Sequence, residues 1–248
     1  MFRVLGSSGG LSGNPQKGST CIQLNGETLI DAGTGLSSLQ LSEMKAIRHI
    51  FLTHAHMDHI AALPTFVSNL FDQSRLPLKV YGLAHSLARL KQHIFNNDIW
   101  PDFTQVQDNG TSMLELVEIK PGQVIEHQGM TLTAFEVPHA IPTIGYAVQQ
   151  PKVSEHSHFV FCADCIVTDA LVSTLNELPP ISTLMVECSF PDRLEEVAVK
   201  TQHMTPSLVS RLLERLEKPP RNVWITHLKP SYEEELRDVL RAEPWHVL

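Results

Sequence analysis

The chain has 248 residues, 42% of them hydrophobic, which is enough for one α/β domain with a sizeable buried core. Its formal charge of −8, from 19 Lys and Arg against 27 Asp and Glu, has the wrong sign for gripping long nucleic acid by phosphate neutralisation, so such a partner is disfavoured. No uninterrupted apolar run is long enough to cross a bilayer, mean hydropathy is −0.05, and MFRVLGSSGG lacks the regions of a signal peptide; these predict a cytoplasmic protein without a membrane partner.

In chain order, FRVLGSSGG and CIQLNGETLIDAGTG read as short strands with Gly-rich turns, and Asn25-Gly26 marks a hairpin. A helix-like stretch near LSEMKAI, the strand HIFLTH and a helix-like IAALPTFVSNLF follow, with Pro64 near the start of that helix or kinking it. LKVYG and HSLARLKQHIFN repeat the strand-helix order, and MLELVEI, MTLTAFEV, IGYAVQQ and HFVFCAD then supply a run of strands. TLMVECSF, SLVSRLLERLEK, NVWITH and EEELRDVLRA return to alternation. Strand groups flanked by helices predict a four-layer αββα sandwich in a single domain over residues 1–248, with Pro179-Pro180 and Pro219-Pro220 as local breakers. Cys21, Cys162, Cys165 and Cys188 are expected as reduced, buried thiols, since Cys162-Ala-Asp-Cys165 has no second such pair to complete a structural zinc site.

The chemistry concentrates in Thr53-His54-Ala55-His56-Met57-Asp58-His59, where the apolar strand IFLT gives way to a helix. Clustered imidazoles and a carboxylate at a strand end are costly to desolvate and poor for packing, so they point to metal. Alternate imidazoles can reach one cation while the adjacent carboxylate and imidazole reach a second. Nitrogen and oxygen donors without thiolate suit zinc first, with manganese or iron as alternatives.

The H-x-H-x-D-H motif after a strand resembles the signature of the metallo-β-lactamase superfamily, and the resemblance extends along most of the chain. It makes Asp31 in LIDAG a support for the histidine loop, His139 in VPHAIP and His227 in WITHLKP metal ligands, and Asp164 in FCADC a bridging ligand. It implies two divalent ions, one held by His54, His56 and His139, the other by Asp58, His59 and His227, with Asp164 shared. His85, His93, His127, His156 and His158 match no motif and are expected to be surface or structural groups. Met57 and Ala62 depart from the residues usual at their positions without touching a ligand; Cys165 follows the bridging aspartate where Thr or a small residue is common, and packing is expected of it.

In the second half, LMVECSFPD, Gln202-His203-Met204-Thr205-Pro206 and THLKPSY resemble class II cyclic-nucleotide phosphodiesterases, and the same layout is similar to tRNase Z. The resemblance implies hydrolysis of a 3′,5′-cyclic nucleotide such as cAMP or cGMP to the 5′-nucleotide, with a shared hydroxide as nucleophile. Asp58, His203 and Glu187 are the candidate catalytic residues: His203 as acid for the departing oxygen, Glu187 as the carboxylate orienting an imidazole. A competing role for His203 is to begin the helix at TPSLVS, where Thr205 is a natural N-cap and Pro206 a natural first residue. Trp100 and Phe103, with Phe95, offer a face for a nucleobase, or else serve helix-end packing or a homodimer contact. A tRNase Z-like endonuclease is the alternative, weakened by the charge and by the lack of a basic Gly/Pro-rich insertion. A non-catalytic metal or nucleotide sensor is the second alternative.

Overall fold

The structure is a computed structural model that describes residues 2–12, 14, 17–70, 77–108, 110–150 and 158–248. The chain divides into two compact units, Met1–Ile119 and Lys120–Leu248. Each has its own sheet and its own apolar core.

The first unit contains β1 (Arg3–Ser8), β2 (Gly18–Ser19), β3 (Cys21–Asn25), β4 (Thr28–Ile30), β5 (His49–Phe51) and β6 (Leu78–Gly82). A small hairpin, β7 (Gln107–Asp108) with β8 (Thr111–Ser112), precedes β9 (Leu114–Glu118). The large sheet runs β2-β1-β3-β4-β5-β6-β9. The hairpin at Asn25-Gly26 forms, but its two turn residues are Gly26 and Glu27, and Asn25 closes it by accepting from the Glu27 N–H at 2.8 Å. From β4 onward the strands are parallel. Their faces are covered by α1 (Leu41–Met44), α2 (Met57–Ile60), α3 (Leu63–Asn69) and α4 (Ala84–His93) through a core that includes Phe66, Val67, Leu87 and Leu90. The expected helix over IAALPTFVSNLF is two helices, α2 and α3, with Pro64 in the first turn of α3, where a missing N–H costs nothing.

The second unit holds β10 (Val124–His127), β11 (Met130–Val137), β12 (Thr143–Gln149), β13 (His158–Phe161), β14 (Ile181–Glu187), β15 (Asn222–Thr226) and β16 (His246–Val247), paired in chain order. The pairs are antiparallel as far as β13 and parallel beyond it. β11, β13, β14 and β15 therefore point the same way, and whatever follows their carboxyl ends gathers at one edge of the sheet. Helices α5 (Asp169–Glu177), α6 (Glu195–Thr201), α7 (Pro206–Glu214) and α8 (Glu233–Leu240) complete the unit. Leu171, Leu175, Leu208, Leu212 and Leu236 pack with Val160, Leu184 and Ile225 of the sheet.

All four cysteines are free and buried, and Cys162, Cys165 and Cys188 belong to the second core. Burial pushes the Cys162 thiol up to about 12, which keeps it protonated and unreactive. His158 is buried in β13, a structural position; His156 lies outside the described residues.

Candidate metal and proton-transfer site

In the first unit the chain leaves β5 at Phe51 and runs through Thr53, His54 and His56 into α2, which carries Asp58 and His59. Thr53, His54 and His59 are fully buried, and His56 and Asp58 are partly exposed. Asp31, just beyond β4, is the anchor of this loop. Its buried carboxylate accepts from the Thr53 N–H at 2.8 Å, the Thr53 hydroxyl at 2.8 Å and His59 Nδ1 at 2.7 Å. Burial raises the Asp31 pKa, opposed by His59 and Thr53. The next residues hold the loop by backbone: the Ala32 N–H donates to His59 at 2.7 Å, and a Cβ at Gly33 would sit 2.2 Å from the Asp58 carbonyl oxygen. Only glycine permits that approach.

These bonds decide which imidazole nitrogen is available to a metal. The Thr53 hydroxyl spends its one proton on Asp31, so it accepts from His54 Nδ1 at 3.0 Å, and Asp31 likewise takes the Nδ1 proton of His59. Both rings are left with a bare Nε2, which for His54 lies 3.1 Å from His56 Nδ1. Beside Asp58 a cavity of about 390 Å³ opens, walled by Leu11, Met57 and Ala61.

The second unit repeats the logic. His139 follows β11, Asp164 follows β13, Glu187 ends β14 and His227 follows β15, all at the shared carboxyl edge of the sheet. His139 Nδ1 donates to the Gln202 carbonyl at 3.1 Å and turns Nε2 toward Asp164 Oδ2 at 3.9 Å. Burial lowers the His139 pKa, which favours the neutral, ligating form. Ser189 donates to Glu187 Oε2 at 2.5 Å and so accepts from His227 Nδ1 at 3.0 Å, leaving His227 Nε2 3.2 Å from Asp164 Oδ1. Two acceptors facing one another at that distance are a cation's donor set, and outward Nδ1–H bonds are the usual way a metal histidine is oriented. Within each unit, then, the residues fit divalent metal.

A separate pair lies beside these candidate donors. His203 Nδ1 donates to the fully buried Glu187 at 2.6 Å, and its ring stacks on His227 with centroids 5.5 Å apart. Burial pulls the His203 pKa down, but the charge and hydrogen bond of Glu187 outweigh it and leave it raised. The helix-start role falls instead to Thr205, which caps α7 by accepting from Leu208 N–H, with Pro206 at the first position. Glu187 also accepts from the backbone N–H of Cys165 at 2.9 Å, which fixes the turn next to Asp164. Asp31, Ala163, Gln202 and His227 have left-handed backbone, with φ of 57°, 54°, 57° and 62°. Such residues cost about 1 kcal/mol or more each and cluster where function demands a particular side-chain direction.

Trp100 and Phe103 are placed by packing. Phe103 is 6% exposed and meets the fully buried Phe95 edge-on at 6.4 Å, and Trp100 packs against the same core while its indole N–H donates to Ser68 at 3.2 Å. The side chains that the sequence does not single out are Thr53 and Ser189, the hydroxyls that accept from the Nδ1 of His54 and of His227.

The β-lactamase superfamily domain model matches residues 27–228, and the chain belongs to the metallo-β-lactamase superfamily of metal-dependent hydrolases. Among relatives it is similar to a ribonuclease Z of Methanosarcina acetivorans, 22% identical over 97% of this chain and 92% of that protein. It also resembles the Pyrococcus abyssi ribonuclease Z, 31% identical over 58% of this chain but only 46% of that protein. Among solved structures, a metallo-β-lactamase fold protein of Bacillus subtilis has a TM-score of 0.74 at 17% identity, covering 100% of this chain and 94% of its own. Unliganded yeast PDE1 has a TM-score of 0.74 at 18% identity, covering 99% and 95%. The short form of human tRNase Z gives 0.68 at 20% identity, covering 94% and 93%. These likenesses establish the shared metallo-β-lactamase fold.

Proposed function

We propose that the protein is a metal-dependent phosphodiesterase that opens a 3′,5′-cyclic nucleotide to the 5′-nucleotide. The observation that carries this reading is the His203–Glu187 pair, a proton-donating group beside ligand imidazoles of the second unit. Phosphodiester cleavage needs such a donor for the alkoxide that leaves.

In this reading His54, His56 and His139 hold one ion, Asp58, His59 and His227 hold the other, and Asp164 serves both, so that residues 1–248 act as a single catalytic domain. When bound, divalent ions bring the pKa of water into the neutral range and offset charge on the phosphoryl oxygens; zinc suits this donor set best. The chain's own residues do the rest. Glu187 holds the Nδ1 proton of His203, which leaves the Nε2 proton of the imidazolium as the one to transfer. The negative charge of Glu187 keeps that imidazolium populated. Ser189 ties Glu187 to His227, so the donor and a ligand are fixed against one another.

A second reading is an RNA-processing endonuclease, favoured by the similarity to the Methanosarcina ribonuclease Z along nearly the whole chain. It would use the same residues. The net charge of −8 supports the small substrate, because RNA binding draws on phosphate neutralisation. Cyclic AMP, cyclic GMP, a linear dinucleotide and a precursor tRNA offered side by side to the metal-loaded protein separate the two. The expected result is the highest kcat/KM on a cyclic nucleotide. Cleavage of the tRNA with no ring opening would move the assignment to the second reading, and no turnover of any diester would end both.

A further inference from the structure

Phe190 ends the ECSF segment and is held there by its backbone N–H, which donates to the Met204 carbonyl at 3.1 Å, while its ring is not among the residues that pack on the second core. It is partly exposed. Among the described residues its ring meets two others: His203, with centroids 5.9 Å apart at 63°, and Tyr232, at 5.9 Å and 48°. Tyr232 is itself partly exposed; it packs on the core, and Arg193 lies over its ring at 5.6 Å. Arg193 is fixed in turn by two bonds to Glu235, at 2.9 and 2.8 Å. An aromatic ring that is neither buried nor needed by the core, beside a proton donor, is the arrangement that receives a flat, phosphate-bearing ligand.

We infer that Phe190, backed by Tyr232, is the platform on which the substrate's nucleobase stacks while His203 faces the departing ribose oxygen. This rests on the phosphodiesterase reading and names its base-recognition surface. The ring contributes binding area and takes no part in proton transfer, so its effect belongs to ligands that carry a base. Base-aromatic stacking of this kind is worth roughly five- to a hundred-fold in affinity.

The test uses two probes on the metal-loaded protein by calorimetry: AMP, and ribose 5-phosphate, which carries the same phosphate and sugar without the base. The wild type should prefer AMP. Phe190→Leu keeps an apolar side chain without the ring; it should lose roughly five- to a hundred-fold on AMP and stay within about two-fold on ribose 5-phosphate. Phe190→Tyr should keep the preference. Equal losses on both probes, an unchanged AMP affinity in Phe190→Leu, or a wild type without preference would each overturn the inference. If the preference and its loss are seen but no phosphodiester is hydrolysed, the platform stands and the catalytic reading falls, so the two fail separately.

Discussion

Asp31→Asn isolates the contribution of an orienting carboxylate from that of the fold. The side chains match in volume, and Asn tolerates the left-handed φ of 57° at this position. The amide oxygen can take the Thr53 N–H now received by Oδ1, which places the amide NH₂ where Oδ2 accepts from His59 and the Thr53 hydroxyl. An NH₂ there needs acceptors, so His59 must offer a bare Nδ1 and carry its proton on Nε2, the nitrogen required for metal. Loss of an orienting partner typically costs 10- to 100-fold in metal affinity, about 1.4–2.8 kcal/mol. Asp31→Ala differs, because it removes a fully buried acceptor from three donors and should cost about 3–5 kcal/mol of stability. For a chain of this length that lowers Tm by roughly 6–20 °C. Zinc titration against a chelator, with nitrogen NMR of the His59 ring, reads both effects. Wild-type zinc affinity in Asp31→Asn, with His59 still protonated at Nδ1, would refute the tautomer argument.

His203→Ala should keep both metals and lose roughly a hundred-fold or more on an alkoxide leaving group, but much less on a nitrophenyl diester, which needs little protonation. Equal losses would mean a misplaced site, and metal loss would make His203 a ligand. Because the His203 pKa is raised chiefly by Glu187, the protonated form persists above the ordinary imidazole range. Any stability from the pair is complete below about pH 6.5 and lost as pH rises through the folded value. Glu187→Gln removes the largest raising causes and leaves burial opposed only by the smaller effect of Asp164, so the alkaline limb of kcat should move to lower pH; an unmoved limb would dissociate it from His203. The buried thiols should ignore a thiol reagent until the protein is denatured, and rapid native labelling would contradict their packing.

The metal motif was legible because the buried run Ile50, Phe51 and Leu52, at and just beyond the end of β5, is followed by four donors that no packing role explains. The order Asp31, His139, Asp164, His227 was legible as a series of strand ends, and the sheet direction explains why strand ends sufficed. Ser189 was not, since it meets His203 and His227 from 14 and 38 residues away and nothing in Cys-Ser-Phe announces that. Nor were the left-handed turns at Ala163 and Gln202, because neither residue type favours that conformation. β10 escaped notice because its residues alternate only between exposed and half-buried, as a solvent-facing edge strand does. Sequence cannot separate an aromatic ring in a core from one at a surface, so it gives no sign that Phe103 is buried while Trp100 is partly exposed.

In the proposed enzyme the seven donors His54, His56, Asp58, His59, His139, Asp164 and His227 hold two divalent ions, and activity depends on both. Elemental analysis of carefully purified, never-chelated protein, of Asp164→Ala and of His139→Ala, with diester hydrolysis measured on the same samples, tests it most directly. The expected results are about two equivalents of metal in the wild type, loss at both positions together in Asp164→Ala, loss mainly at one in His139→Ala, and turnover that falls with the metal. Wild-type protein with no metal and no gain of activity on adding zinc or manganese, or variants with full metal and full turnover, would contradict it.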